Sequence, residues 1–469
     1  MLYFSTRNTD KKFTFEEIIL NGLAEDGGLY IPEQTPLFTE NDINRLLCSD
    51  YETIAYEIIK QFTGETFTAD LLKAMIHDSY KSFRSDLVTP LTEVDDSLSI
   101  LELFHGPTLA FKDLAMQLLS RMIEEVLSRT HSKASIICAT SGDTGGAAVT
   151  SFANKKNIKL FVLYPKGRIS EVQRRFMSTV KAKNIKVISI NGNFDDCQNI
   201  VKTLFNDRYF AKNVSLTAVN SINWARIMIQ IVYYFSALSQ YKRLEKNINF
   251  IVPTGNFGDI FAGYIAKKMG LPIHKLVIAT NVNNILERCI KTGVYEIFDS
   301  IQTNSPSMDI QISSNFERLL FDLLGMRSGA VEKKMSQLKE KGKFELDNSE
   351  LKSFNNNFDA GSLNQDETVK IIKDMYNKSH QIIDPHTAIA VGIHHRNSYK
   401  NSIVLSTAHA AKFPKTVEKA VGIHPDLPNI SEDIYKMYEN IIDLPNDVGD
   451  ISAFITKNFS EGQDDNNRK

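Results

Sequence analysis

Short apolar runs alternate with stretches of helical periodicity from about residue 98 onward. The runs are rich in β-branched residues and lie between turn-forming residues, which predicts strands. Seven such runs occur, at 98–104, 134–139, 158–163, 185–190, 248–252, 275–280 and 402–407. Apolar strands that alternate with amphipathic helices are typical of parallel sheets covered by helices on both faces. The pattern therefore predicts an α/β fold with parallel sheets.

One helical stretch, at 110–128, shows the periodicity most clearly. Its apolar residues follow a spacing of three and four, which predicts a single buried face. The residues of this face are Phe111, Leu114, Ala115, Leu118, Leu119, Met122, Ile123 and Val126.

Two regions depart from the alternation. Residues 1–98 show no regular exchange of strands and helices, and helical stretches at 14–24, 51–62 and 69–83 predict a mainly helical N-terminal region. Residues 337–366 are polar, and we expect a surface excursion with short elements of its own.

Composition narrows the class of protein. The chain has 469 residues, 42% of them hydrophobic, and a formal charge of −2 at pH 7. Its length suggests about three domains or lobes, and its balance of charges gives no global positive field for a nucleic acid or an anionic membrane. The four cysteines form no CxxC pair, and the N-terminus resembles no secretory signal. We expect a cytoplasmic protein that binds neither nucleic acid nor membrane, and no metal site.

A first candidate loop, TSGDTGG at 140–146, follows a predicted strand and precedes a helix. Small residues let backbone N–H groups point at an anion, and the helix dipole adds to the attraction. Asp143 would repel an anion unless its side chain points away. The alternative is a tight turn between a strand and a helix, and the pattern alone does not name a ligand.

A second candidate loop is PTGNFGD at 253–259. Gly255 and Gly258 free the backbone to wrap around an anion at the start of the next helix, which suits a phosphate. The chain has neither a GxxxxGK[ST] nor a GxGxxG motif at this point, so ATP hydrolysis and dinucleotide binding have little support. The alternative is a glycine turn capped by Asp259.

A third candidate is Lys112, in HGPTLAFKD at 105–113. Lysines on helices are usually solvated, but this one starts an apolar helix just beyond a strand end, where α/β folds place ligands. The helix dipole and a low dielectric would lower the pKa of its amine, as Schiff-base chemistry requires. His105, His386 and His409 each lie beside a candidate loop, and each has a structural alternative.

The motifs occur in an order that resembles a known family. They are ELFHGPTLAFKD (102–113), TSGDTGGAAV (140–149), NGNFDDCQ (191–198), NSINWARI (220–227), PTGNFGD (253–259), DPHTA (384–388) and LSTAHAAKFP (405–414), after an opening with YFSTRN and LAEDGGLYIPE. The chain resembles the threonine synthases of the longer type, within the fold type II pyridoxal phosphate enzymes, from about residue 3 to residue 416. Asn8 stands where such proteins are expected to have glycine.

The resemblance implies roles for individual residues. Lys112 resembles the lysine that binds pyridoxal 5'-phosphate through a Schiff base, and Thr407 resembles the hydroxyl that bonds the pyridine nitrogen. The segment that resembles the phosphate-binding loop consists of Gly255, Asn256, Phe257, Gly258 and Asp259. Ser141 and Thr144 resemble donors to the substrate carboxylate. The residues that resemble a substrate-phosphate site are Asn220, Ser221, Asn223 and Arg226, with a surface ion pair as the alternative for Arg226.

The resemblance also implies a reaction. O-phospho-L-homoserine and water would give L-threonine and phosphate by γ-elimination and β-hydration, with Lys112 moving the protons. The alternatives are a phospholyase or dehydratase of the same fold that releases an oxo acid, and an inactive homologue that only binds ligands. The partner is then a small-molecule substrate, and we expect a monomer or a homodimer.

The implied architecture is the tryptophan-synthase-β-like fold, with two parallel-sheet lobes beside an N-terminal region at 1–98. Residues 99–130 and 216–469 would form a large lobe, and residues 131–215 a small lobe that carries TSGDTGG. The cofactor would lie between the lobes, and substrate binding would draw them together.

Overall fold

The computed structural model describes residues 1–241, 247–428 and 434–464. The strands are β1 (Tyr3–Ser5), β2 (Asn8–Phe13), β3 (Tyr30–Pro32), β4 (Leu91–Glu93), β5 (Leu98–Glu102), β6 (Ala134–Ala139), β7 (Ile158–Pro165), β8 (Ile185–Ile190), β9 (Leu216–Thr217), β10 (Ile248–Pro253), β11 (Ile273–Thr280), β12 (Val294–Glu296), β13 (Lys343–Glu345), β14 (Phe358–Ser362), β15 (Ser402–Ser406) and β16 (Ile442–Leu444).

The helices are α1 (Phe15–Asn21), α2 (Glu40–Leu47), α3 (Tyr51–Thr63), α4 (Ala69–Tyr80), α5 (Lys112–Arg129), α6 (Asp143–Phe152), α7 (Glu171–Ser178), α8 (Phe194–Asn206), α9 (Arg208–Asn213), α10 (Trp224–Gln240), α11 (Gly258–Lys268), α12 (Ile285–Thr292), α13 (Phe316–Leu323), α14 (Ser328–Lys341), α15 (Asn348–Asn357), α16 (Gln365–Ser379), α17 (Pro385–Asn397), α18 (Pro414–Val421) and α19 (Val448–Asp464). None of the helices in these described ranges is both long and apolar enough to cross a membrane.

A six-stranded sheet has the order β14-β11-β10-β15-β5-β4. The first five strands are parallel, and only the edge strand β4 is antiparallel. Every residue of β10 and β15 is buried, as expected for central strands of a sheet covered on both faces. The carboxyl ends of β10, β15 and β5 consequently lie side by side.

A second sheet has the order β16-β8-β7-β6-β9, and all its pairs are parallel. Together, the two sheets confirm the predicted α/β fold class, and all seven predicted apolar runs form strands. The predicted buried face of α5 is confirmed as well, except that Phe111 precedes the helix and is half-buried.

The contacts between Cα atoms divide the chain into two units. The first comprises Met1–Ile19, Leu23–Ala115 and Ser221–Asp426, and the second comprises Leu20–Gly22, Met116–Asn220 and Leu427–Lys469. This division differs from the predicted lobes, because residues 116–130, 216–220 and 427–469, predicted in the large lobe, belong to the second unit. At the C-terminus, residues 427–469 group with the small sheet. The reason is that β16 pairs with β8, and that Ile451 and Ile455 of α19 join the apolar cluster around α8.

The N-terminal region, apart from Leu20–Gly22, belongs to the first unit. Besides helices α1 to α4, it forms a small antiparallel sheet, β2-β1-β3. The periodicity did not predict it, because β1 and β3 have three residues each and β2 is mostly polar and exposed. Helix α3 packs against α10. At this contact the Trp224 ring lies 5.7 Å from the ring of Phe62 and 6.3 Å from that of Tyr3.

The expectation for 337–366 is wrong in one part. Phe358–Ser362 forms β14, which pairs in parallel with β11 along the edge of the six-stranded sheet. The sequence FDAGS hides this strand because three of its five residues are small and one is charged, so it lacks the apolar run by which its neighbours were predicted.

Candidate active site

Lys112 and Thr407 are held next to each other by neighbouring strands of the first unit. Strands β5 and β15 run parallel, and the chain continues from them into HGPTLAFKD and LSTAHAAKFP. The Phe111 amide donates to the Thr407 carbonyl at 2.9 Å, and the His409 amide donates to the Leu109 carbonyl at 3.0 Å. These bonds bring the two predicted residues together at one end of the sheet.

The turn before α5 is fixed by Asp113. Its carboxylate accepts from the amide and the hydroxyl of Thr108, both at 2.7 Å. Burial raises the pKa of Asp113, against the opposing effects of Thr108 and the Lys412 charge. The Lys412 ammonium itself donates to the Thr108 carbonyl at 2.8 Å. Lys112 therefore begins α5 directly after a turn that is held by hydrogen bonds from Thr108 to Asp113 and from Lys412 to Thr108.

The loop 253–259 leaves β10 and starts α11. Phe257 has a φ of 64°, a left-handed conformation that turns the chain sharply into the helix. The Ser313 hydroxyl donates to the Gly255 carbonyl at 2.7 Å, and the Asn315 amide donates to the Asn256 carbonyl at 3.0 Å. With these carbonyls bonded to 313–315, the loop offers its amides and the helix dipole to an anion.

Asp259, at the end of this loop, is buried. Its carboxylate accepts from the Ile260 amide at 2.8 Å. Burial raises the pKa of Asp259 to about 6, although the Ile260 amide and the charges of Lys112 and Arg226 act to lower it. The two cations therefore act on the same carboxyl, which places Asp259, Lys112 and Arg226 in one electrostatic environment.

The segment 221–226 leads into α10. Arg226 is 3% exposed, so the alternative of a surface ion pair is wrong. Asn223 caps the helix, because its Oδ1 accepts from the Ala225 amide and its Nδ2 donates to the Ile19 carbonyl, each at 3.0 Å. The Ser221 carbonyl accepts from Asn315 Nδ2 at 3.0 Å. These bonds fix the backbone beside Arg226.

The loop 140–146 lies in the second unit, between β6 and α6. The Thr140 hydroxyl oxygen accepts from the amides of Gly142 and Gly145, both at 2.9 Å. Asp143 is buried and accepts from Gln173 Nε2 at 3.0 Å, so its carboxylate is turned toward α7. Ser141 and Thr144 are half-buried. Asn220 is exposed and is the last residue of the segment Met116–Asn220 of this unit.

Two of the three histidines have carboxylate partners. His105 bonds Glu102 and His386 bonds Asp384, each at 2.7 Å, while burial and the charge of Arg84 lower the pKa of His409 to about 4. Within the described residues, His386 Nε2 is buried without a hydrogen-bond partner. No group of three or more potential metal ligands occurs in the part of the chain that the structure describes.

Sequence reasoning missed Asp384. Its carboxylate caps α17 and bonds the Thr387 hydroxyl, which in turn bonds the Ser406 hydroxyl at 2.9 Å, next to Thr407. An aspartate directly before a proline is a signal for a helix start and was available in DPHTA. The hydrogen bond across to β15 had no signal in the sequence.

Comparison with known proteins agrees with this geometry. Three family models match: threonine synthase N terminus over residues 2–80, pyridoxal-phosphate dependent enzyme over 88–341, and threonine synthase, C-terminal, over 387–455. A threonine synthase of Pseudomonas aeruginosa is 43% identical over 99% of this chain and 100% of its own length.

Solved structures give the same result. The crystal structure of a pyridoxal-phosphate-bound threonine synthase from Brucella melitensis is similar with a TM-score of 0.95 and 46% identity, covering 98% of this chain and 99% of its own. The threonine synthase from yeast is similar with a TM-score of 0.93 and 40% identity, over the same fractions of the two chains. The chain therefore belongs to the threonine synthase family of pyridoxal-phosphate-dependent enzymes with the type II fold.

Proposed function

We propose that this protein converts O-phospho-L-homoserine and water into L-threonine and phosphate with pyridoxal 5'-phosphate. The observation that carries the proposal is the placement of three motifs at the carboxyl ends of three adjacent strands. Lys112 follows β5, Thr407 follows β15, and the loop 253–259 follows β10. Carboxyl ends of parallel strands are where α/β folds bind ligands.

The residues present fit the cofactor. The loop 253–259 would hold its phosphate through backbone amides and the start of α11, Lys112 would hold it covalently, and Thr407 would bond the ring nitrogen. A Cβ added at Gly255 would lie 2.4 Å from the Ser307 carbonyl oxygen, so the loop has no space for a side chain at that point. When bound, pyridoxal phosphate withdraws electrons from the substrate, which acidifies Cα and then Cβ and allows phosphate to leave from Cγ.

Within this scheme Lys112 moves the protons. The buried carboxyl of Asp259 has a pKa raised to about 6, and the charge of Lys112 acts on it in the opposite direction. The Thr407 hydroxyl is neutral, so it would bond the ring nitrogen without imposing the charge that a carboxylate would bring.

Two groups of residues are proposed to bind the substrate. Arg226 would pair with the substrate phosphate, since it is a buried cation whose charge acts on Asp259, and Ser221 and Asn220 would flank it. Asn223, which caps α10, would set the position of Arg226. Ser141 and Thr144 would donate to the substrate carboxylate, which the turning of Asp143 toward Gln173 makes electrostatically acceptable.

Reductive trapping tests the proposal. Protein incubated with pyridoxal phosphate and treated with borohydride should carry the label on Lys112 after peptide mapping, and Lys112→Ala should lose the label and essentially all turnover. Lys267→Ala, on the exposed side of α11, is the control and should retain both. A label on any other lysine would disprove the assignment.

A product assay separates the proposed reaction from the alternatives. Threonine and phosphate should appear in equal amounts from O-phosphohomoserine. Release of 2-oxobutyrate and ammonia instead would indicate a phospholyase or dehydratase, and no turnover with a normal Lys112 label would indicate an inactive homologue.

We also propose a cytoplasmic enzyme that acts as a monomer or homodimer and binds no nucleic acid. Four free cysteines support a reducing compartment, and a formal charge of −2 gives no support for nucleic-acid binding. Sedimentation of the purified protein at several concentrations measures the oligomeric state directly.

A further inference from the structure

Beyond the residues that would touch the cofactor or the substrate, one buried pair connects their loops. Arg318 is fully buried in α13, and Asn315 lies directly before that helix. The guanidinium of Arg318 bonds Asn315 Oδ1 and donates to the carbonyls of Tyr30, at 2.9 Å, and Ile222, at 2.6 Å. All three acceptors are neutral, so the charge of Arg318 is stabilised by dipoles that it also orders.

Asn315 extends these bonds to the loop 253–259. Its Nδ2 donates to the carbonyls of Ser221 and Asn256, both at 3.0 Å, and its backbone amide also donates to Asn256. A Cβ added at Gly258 would lie 3.2 Å from this same Nδ2. Asn315 therefore sits against the loop at the point where α11 begins.

We propose that Asn315 and Arg318 are positioning residues that set the backbone of the loop 253–259 and of the segment 221–222 before any ligand binds. Because Asn315 bonds the carbonyls of Asn256 and Ser221, the amides of the same peptides point away from Asn315, and there they would be available to the phosphates. This deepens the proposed function, and it rests on the assignment of the loop 253–259 to the cofactor phosphate.

The pair also connects the N-terminal region to both segments. Tyr30, in β3, accepts from Arg318, while Thr6 and Arg7 donate to the neighbouring Glu317, at 2.6 Å and 2.8 Å for their shortest bonds. Strand β3 and the turn between β1 and β2 thus bond two successive residues of α13, Arg318 and Glu317. One role of the region 1–98 is then to hold α13, and through it the loop, in place.

Asn315→Asp is the most informative variant. It keeps an oxygen for Arg318 and pairs the buried cation with a carboxylate, so the fold should be retained. It replaces the donor to the carbonyls of Ser221 and Asn256 by an acceptor, which repels both. We expect the affinity of the apoprotein for pyridoxal phosphate to fall about tenfold or more, and its affinity for pyridoxal to stay within about threefold.

Arg318→Lys is the second variant, in case Asn315→Asp does not fold. It should lower the ratio of the affinity for pyridoxal phosphate to the affinity for pyridoxal. Arg288→Lys is the matched control, because Arg288 donates to the Glu296 carbonyl at 2.7 Å and bonds no residue of the loop. The control should leave the ratio unchanged. Urea unfolding of each apoprotein reports stability separately.

The outcomes separate this proposal from the one on which it rests. Equal affinities of the wild type for pyridoxal phosphate and pyridoxal would disprove the assignment of the loop. A wild type that prefers pyridoxal phosphate, together with an Asn315→Asp variant that keeps the preference or loses both affinities equally, would overturn the positioning role alone.

Discussion

The loops 253–259 and 140–146 each leave a parallel strand at a threonine and enter a helix a few residues later, but the two threonines act in opposite ways. Thr140 accepts from the amides of Gly142 and Gly145. Thr254 instead donates back to the Val252 carbonyl at 2.6 Å. The first arrangement bonds loop amides within the loop, and the second leaves them to other partners.

The loops also differ in what fixes their shape. The loop 140–146 is wound around its own threonine, whereas the carbonyls of the loop 253–259 are bonded by Ser313 and Asn315. A loop held from outside can offer a row of amides to a phosphate. A loop that bonds its own amides has to rely more on hydroxyls, which agrees with the proposal of Ser141 and Thr144 as donors there.

Apart from the loss of Lys112, the largest expected effect comes from removing the buried charge of Arg226. Arg226→Ala should lower kcat/KM for phosphohomoserine about a thousandfold, through both a higher KM and a lower kcat. The reason is that the substrate phosphate loses the buried cation proposed to pair with it. Steady-state kinetics measure this. Arg175→Ala in the second unit, which breaks a bond to Glu171, should change kcat/KM less than about threefold. Unchanged kinetics in Arg226→Ala would leave Arg226 without a substrate role.

The next prediction compares Asp259 and Asp143, the buried aspartates at the starts of α11 and α6. Because the pKa of Asp259 is raised to about 6 in the folded state, the folded apoprotein binds a proton more tightly than the unfolded chain. The free energy of unfolding, relative to Asp259→Asn, should fall by up to about 3 kcal/mol as the pH rises from about 4 to about 6.

Urea unfolding at a series of pH values measures this difference. Asp143→Asn, the matched change in the other loop, should retain the same fall, since Asp259 is intact. If the free energy of unfolding depends on pH in the same way in the wild type and in Asp259→Asn, the raised pKa of Asp259 is contradicted.

A smaller effect should distinguish the two threonines. Thr140→Val leaves two buried amides without their acceptor and should lower the free energy of unfolding by about 2 kcal/mol. Thr254→Val loses one bond to a carbonyl and should cost about 1 kcal/mol. Chemical denaturation of both apoproteins checks the order, and a larger cost for Thr254→Val would reverse the comparison.

Much of this site was predictable from the sequence because its motifs are local. Lys112, Thr407 and the loop 253–259 each follow an apolar strand, and strand ends are readable from the pattern. The chain order of the motifs then gave the family. The orientation of Asp143 toward Gln173 was not predictable, because a neighbouring helix determines it.

What the sequence did not predict depends on contacts between distant segments. Asn315 and Arg318 carry no recognisable motif, and their partners Tyr30 and Asn256 are far away along the chain. Strand β14 has small residues and one charge, and strand β16 has only three residues, so only their pairing with β11 and β8 identifies them. Such contacts follow from the fold and not from local periodicity.

The most direct test of the central claim compares a glycine in each loop. Gly255→Ala places a Cβ 2.4 Å from the Ser307 carbonyl, and Gly142→Ala places one 2.4 Å from the Gln173 side chain. The ratio of affinities for pyridoxal phosphate and pyridoxal should fall about tenfold in Gly255→Ala and stay within about threefold of the wild type in Gly142→Ala. If Gly142→Ala lowers the ratio and Gly255→Ala does not, the cofactor phosphate is not bound by the loop 253–259.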